Sequence, residues 1–75
     1  MPRVATFAKF ALYLYGNDHG VAHVHIESAA GRASIAIADG KVLVSDVPVG
    51  FTRQAQVWIA AHRDELLSLW KELHP

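Results

Sequence analysis

The sequence predicts an α+β domain: a small antiparallel sheet of four to five strands with one long C-terminal helix packed on one face. Three observations predict it. Apolar residues alternate with period two in short runs through the first two thirds of the chain. Turn-forming residues separate those runs. Beyond Gly50 nothing breaks a helix, and apolar side chains recur at helical spacing to about Leu73.

"RVATF" and "KFALYLY" are the first two β-like runs. In the second, Phe10, Leu12 and Leu14 fall on one face, and Ala11, Tyr13 and Tyr15 on the other. Gly16, Asn17 and Asp18 tolerate tight backbone and mark a turn. "AHVHIES" alternates again, with Val24 and Ile26 pointing one way and His23, His25 and Glu27 the other. Ala30-Gly31-Arg32 leads by a hairpin into "ASIAIA", where Ile35 and Ile37 share a face. Asp39-Gly40 is a second hairpin signal, followed by "KVLVSDV", and Pro48 and Gly50 end the sheet.

Thr52 reads as the helix N-cap, its hydroxyl serving the exposed amides of the first turn. Ala55 stands where a capping box would place Glu or Gln. Ile59, His62, Leu66, Leu69, Trp70 and Leu73 form one stripe, with Arg63, Asp64, Lys71 and Glu72 mostly off it. Trp58 and Trp70 differ by about 120° in direction on a helix, so both fit one broad apolar face.

A chain of 75 residues is one domain, here with strands within residues 3–47 and a helix over about 52–73. A domain this small hides only about 60% of its unfolded surface. It carries 52% hydrophobic residues, with two Trp, two Tyr and three Phe. That is more apolar surface than one sheet and one helix hide easily, so a homodimer or a heteromer is expected. The absence of cysteine excludes disulfides and thiolate metal sites. Seven basic and seven acidic residues balance, so overall charge gives no support to nucleic-acid binding and leaves only a local patch open. No apolar run approaches the roughly 20 residues that span a bilayer. Lys9 interrupts the apolar N-terminus, which reads as structure rather than as a signal peptide.

"NDHGVAHVHIE", residues 17–27, holds three of the five histidines. Residues two apart on a strand share a face, with their Cα atoms roughly 7 Å apart. His23 and His25 can therefore share one ion, Glu27 continues their row, and His19 can fold over from the preceding loop. Histidines with a carboxylate suit zinc, nickel, iron or manganese, and zinc or nickel is the candidate ion, with no cofactor required by the sequence. In the blander reading the same side chains line a half-exposed sheet face and bond to the loop. His62 likewise has two readings. It is a core-edge histidine bonded to its surroundings, or a further ligand facing His23 and His25, and the sheet face that the helix covers decides between them.

Two larger families share part of this histidine pattern. Nucleases with a His-hydrophobe-His strand also use a helix tyrosine, and the C-terminal helix here has none. Histidine-triad hydrolases place a histidine where this chain has Glu27. A resemblance over nearly the whole chain lies elsewhere. The order "MPRV…LYLYGNDHGVAHVHIE…GRASI…GFT…HRDELLSLWKE" resembles the small bacterial family catalogued as domain of unknown function 4160. Met1, Pro2, Tyr13, Tyr15, Asn17, Asp18, His19, His23, Val24, His25, His62, Leu66, Leu67 and Trp70 carry the match. Ala22 stands where the family commonly has proline, which relaxes the backbone entering the histidine strand, and "ADGKVLVSDV" is less acidic than the family's segment. The resemblance implies a cytoplasmic protein of a family whose genes often sit beside a second small gene, in pairs that are candidate toxin–antitoxin modules. It implies no defined activity.

The expected function is accordingly a small cytosolic binding module, one component of a two-gene unit, acting through its histidine-bearing sheet face or edge. The alternative is a metal-dependent hydrolase or nuclease. There His19, His23 and His25 would hold the ion, and Asp18 or Glu27 would activate water.

Overall fold

Five strands run as an antiparallel meander in the order β1 (Arg3–Thr6), β2 (Phe10–Tyr13), β3 (His23–Ser28), β4 (Gly31–Ala36) and β5 (Val42–Ser45). Two helices follow, α1 (Val49–Ala61) and α2 (Arg63–Leu73). The structure is a computed structural model that describes residues 3–15 and 20–74. The α+β class and the antiparallel sheet agree with the sequence, and the strand count is the upper of the two expected.

The period-two alternation sorts the sheet into two faces. Leu12, Leu14, Val24, Ile26, Ile35 and Ile37 are fully buried and join Ala55, Ile59 and Leu66 of the helices in one core cluster. Burying each such aliphatic side chain contributes about 1.5–3 kcal/mol before conformational entropy is subtracted. No helix among the described residues is long and apolar enough to cross a membrane.

Register is set by the hairpins. Ser28 pairs with Gly31 across a two-residue turn, which aligns Glu27 with Arg32, His25 with Ser34 and His23 with Ala36. Gly31 takes φ +143, and a Cβ there would run into the Asp46 carbonyl oxygen, so glycine is required on both counts. The Asp39-Gly40 turn forms as expected: the Lys41 N–H donates to Asp39 Oδ1 at 3.0 Å, and Gly40 has φ +74.

The helical region corrects the sequence reading. In place of one helix from Thr52, α1 begins at Val49, directly after Pro48. Thr52 is not the cap: it is buried inside the helix, and its hydroxyl donates to the Val49 carbonyl at 2.9 Å. The single long helix is divided at His62, whose backbone (φ −125, ψ 23) is non-helical. The His62 N–H is shared between the Trp58 and Ile59 carbonyls, and its Nδ1–H donates to the Trp58 carbonyl at 2.9 Å. A side chain that bonds the preceding turn competes with the regular ladder there. α2 then starts afresh, with Asp64 and Glu65 at its positive end and Lys71 at its negative end.

Candidate functional site

Because Val24 and Ile26 are buried against the helices, His23, His25 and Glu27 lie on the opposite face of β3. Register brings the neighbouring strands into the same row. Arg3 pairs with Tyr13, Tyr13 with His25, His25 with Ser34 and Ser34 with Val44, so one line crosses all five strands. The Arg3 Nε–H donates to the Tyr13 hydroxyl at 3.2 Å, and its guanidinium sits 5.6 Å from the tyrosine ring.

A chain of rings runs along this face. Tyr13 and Tyr15 stack in parallel with centroids 5.9 Å apart. Tyr15 meets His25 at 4.9 Å, and His25 meets His23 at 4.9 Å. Trp70 of α2 comes within 5.3 Å of His23 and stacks at 3.9 Å on His74. The row thus links the sheet face to the helix layer. His23 Nδ1 lies 2.7 Å from the Val21 carbonyl oxygen. A carbonyl only accepts, so Nδ1 carries a proton and donates it.

Beside the rings lies an acid–cation pair. The Arg32 Nε–H donates to Glu27 Oε1 at 3.0 Å, and the Tyr15 hydroxyl donates to Glu27 Oε2 at 3.2 Å. Burial, reinforced by the Glu27 charge and hydrogen bond, holds the Tyr15 phenol above its ordinary value. Tyr15 is therefore a standing O–H donor at neutral pH. Tyr13, Tyr15, His25, Glu27, Arg32 and Ser34 line an open depression of about 600 Å³. A phenol, an imidazole, a carboxylate and a guanidinium in one depression can bind an anion and move protons.

The candidate residues are distributed as follows. His23, His25 and Glu27 share the open face, as the alternation predicts. His19 and Asp18 lie outside the described residues. His62 stands in the helix layer, stacked on Trp58 at 4.1 Å, and lines a separate depression with Val4 and Leu66. Among the described residues no three His, Asp or Glu side chains form a group that could hold a metal ion, so His62 does not complete a trio with His23 and His25. Arg32 and Ser34 were missed as site residues. The two-residue hairpin was their signal, since pairing Ser28 with Gly31 places Arg32 opposite Glu27 and Ser34 opposite His25. Trp70 and His74 had no such signal, because their place depends on where α2 ends relative to the sheet.

No curated protein and no solved structure matches this chain. A family profile does match, over residues 9–71, which include the tyrosine strand, the histidine strand, both hairpins and nearly all of both helices. The chain belongs to the family described as Domain of unknown function (DUF4160).

Proposed function

We propose that this chain is a small cytoplasmic binding module, one component of a two-gene unit of toxin–antitoxin type, that meets its partner through the open sheet face. One observation carries the reading. The core uses one face of the sheet, and the other presents a row of half-buried rings, Tyr13, Tyr15, His25 and His23, flanked by Arg3 and Arg32. Aromatic and arginine side chains are the types enriched where proteins meet. The edge strand β5 adds Val44, 67% exposed and paired with Ser34, beside that row. The partner is the product of a neighbouring small gene or a second copy of the chain. The test is co-expression with that gene followed by purification and measurement of the assembly mass. A stable complex that is lost on Tyr13→Ala/Tyr15→Ala substitution supports the reading. A monomer beside an unbound gene product would sink it.

A second reading, a metal-dependent hydrolase or nuclease, draws on His23. Its Nδ1–H is engaged by the Val21 carbonyl, which orients Nε2 as a ligand in the way that metal-binding histidines are commonly oriented. The His25 ring is adjacent. His19 would supply the third nitrogen for zinc or nickel, with Asp18 or Glu27 activating water. Metal-dependent activity that disappears with His23→Ala/His25→Ala would favour it.

A further inference from the structure

The depression on the open face holds a carboxylate, an imidazole and a guanidinium on two adjacent strands. We propose that this face cleaves single-stranded RNA by internal transesterification, with Glu27 as general base, His25 as general acid and Arg32 as the phosphate anchor. The proposal goes beyond the binding-module reading of the same face and would stand if that face met no protein partner.

Spacing is the first argument. Glu27 and His25 are two apart on β3, so their side chains rise from one face with Cα atoms roughly 7 Å apart. A phosphodiester set between them has its 2′ oxygen toward one group and its departing 5′ oxygen toward the other. In-line displacement needs a base and an acid on opposite sides of the phosphorus. Arg32 lies directly across from Glu27, with its side chain 80% exposed, so it can turn from the carboxylate to a phosphate oxygen. Guanidinium matches phosphate geometry with two parallel hydrogen bonds.

The step balances within the substrate. The 2′ hydroxyl gives its proton to the Glu27 carboxylate, and O2′ attacks phosphorus. The bond from phosphorus to O5′ breaks, and that oxygen takes a proton from His25, the general acid. The products are a 2′,3′-cyclic phosphate and a 5′ hydroxyl. The nucleophile belongs to the RNA itself, so no water need be activated and DNA is not a substrate. Tyr15, whose hydroxyl donates to Glu27 Oε2, positions the carboxylate.

The surroundings favour a single strand. Tyr13 and Tyr15 lie parallel to each other beside His25, a stacking platform for unpaired bases. Arg3, at the Tyr13 hydroxyl, stands where a second phosphate would follow. The depression is open, as an extended strand requires. The chain's zero net charge predicts weak binding that is strongest at low salt.

The test uses the full chain and an end-labelled single-stranded oligoribonucleotide of mixed sequence, at low salt with a chelator present. Cleavage to 2′,3′-cyclic phosphate and 5′ hydroxyl ends is expected. Glu27→Gln and His25→Ala should each slow it about 100-fold or more, the usual scale of positioned acid–base groups. Their melting temperatures establish that the variants are folded. A wild-type reaction on an oligonucleotide with a single ribose should cut only at that ribose, and this arm needs no variant. No cleavage overturns the proposal, as does equal cleavage by wild type and both variants. Cleavage only with added zinc or nickel, leaving 5′ phosphate ends, overturns it in favour of the metal-dependent reading.

Discussion

Glu27 and Arg32 face each other across the β3–β4 hairpin, with Arg32 Nε 3.0 Å from Glu27 Oε1. The arginine side chain is 80% exposed and the glutamate side chain 27%. Pairs this wet contribute about 0–1 kcal/mol, because water screens the attraction and two side chains lose freedom. Arg32→Ala is therefore expected to lower the unfolding free energy by less than about 1 kcal/mol in a urea titration. A larger loss would mean that the pair holds the hairpin, and the substitution would then be unfit as a probe of function.

Leu66 behaves oppositely. It is 2% exposed and brings α2 into the core cluster. Leu66→Ala should cost about 2–5 kcal/mol, a large part of the stability of a small domain. Val57, on α1 but 73% exposed, is the control, and Val57→Ala should change stability by no more than about 0.5 kcal/mol. Equal urea midpoints for the two variants would show that α2 does not hold the core.

The sheet was legible from the sequence because alternation has only two outcomes. Once Leu12 and Leu14 are inside, Tyr13 is turned to the other face, and the same logic separates Val24 and Ile26 from His23 and His25. The helix break at His62 was hidden for the opposite reason. Ile59, Leu66, Leu69 and Leu73 keep helical spacing across it, so the stripe reads as continuous although the backbone is not. The acidic pair Asp64 and Glu65 was the available sign, since carboxylates gather in a first turn. Thr52 misled in turn, because a hydroxyl that suits an N-cap also bonds a carbonyl three residues back inside a helix. In the site, alternation placed His23, His25 and Glu27, but the contact between His23 and Trp70 joins residues 47 apart that no local pattern relates.

Tyr15 makes the fold sensitive to alkali. Burial, then the neighbouring Glu27 charge and hydrogen bond, raise its phenol above the ordinary 10.0. As pH rises, the unfolded chain therefore gives up this proton before the folded one does. The corresponding stability is fully present below pH 10.0, falls as pH climbs above that value, and is lost by the folded-state value. Urea midpoints measured from about pH 8 to about pH 11 should fall at the upper end. Tyr15→Phe should fall less steeply. An unchanged slope would show that the burial of Tyr15 and its contact with Glu27 do not persist in solution.

Zinc should stabilise the wild-type chain through the histidine strand. The His23 Nδ1–H bonds to the Val21 carbonyl, which fixes the ring, and the His25 ring is 4.9 Å away. Two imidazoles from one strand can share an ion, with a third ligand from the preceding loop or from water. Binding to the folded form alone raises stability in proportion to the logarithm of metal excess over the dissociation constant. The core cluster contains neither histidine, so the metal-free chain should fold unaided. The measurement is thermal melting of the wild type and of His23→Ala/His25→Ala, each with and without zinc. A rise of several degrees in the wild type only is expected. Equal melting in all four samples would leave these rings as partner or RNA contacts. Collapse of the metal-free double variant would mean that the contacts of His23 with Trp70 and His25, and of His25 with Tyr15, hold the fold together.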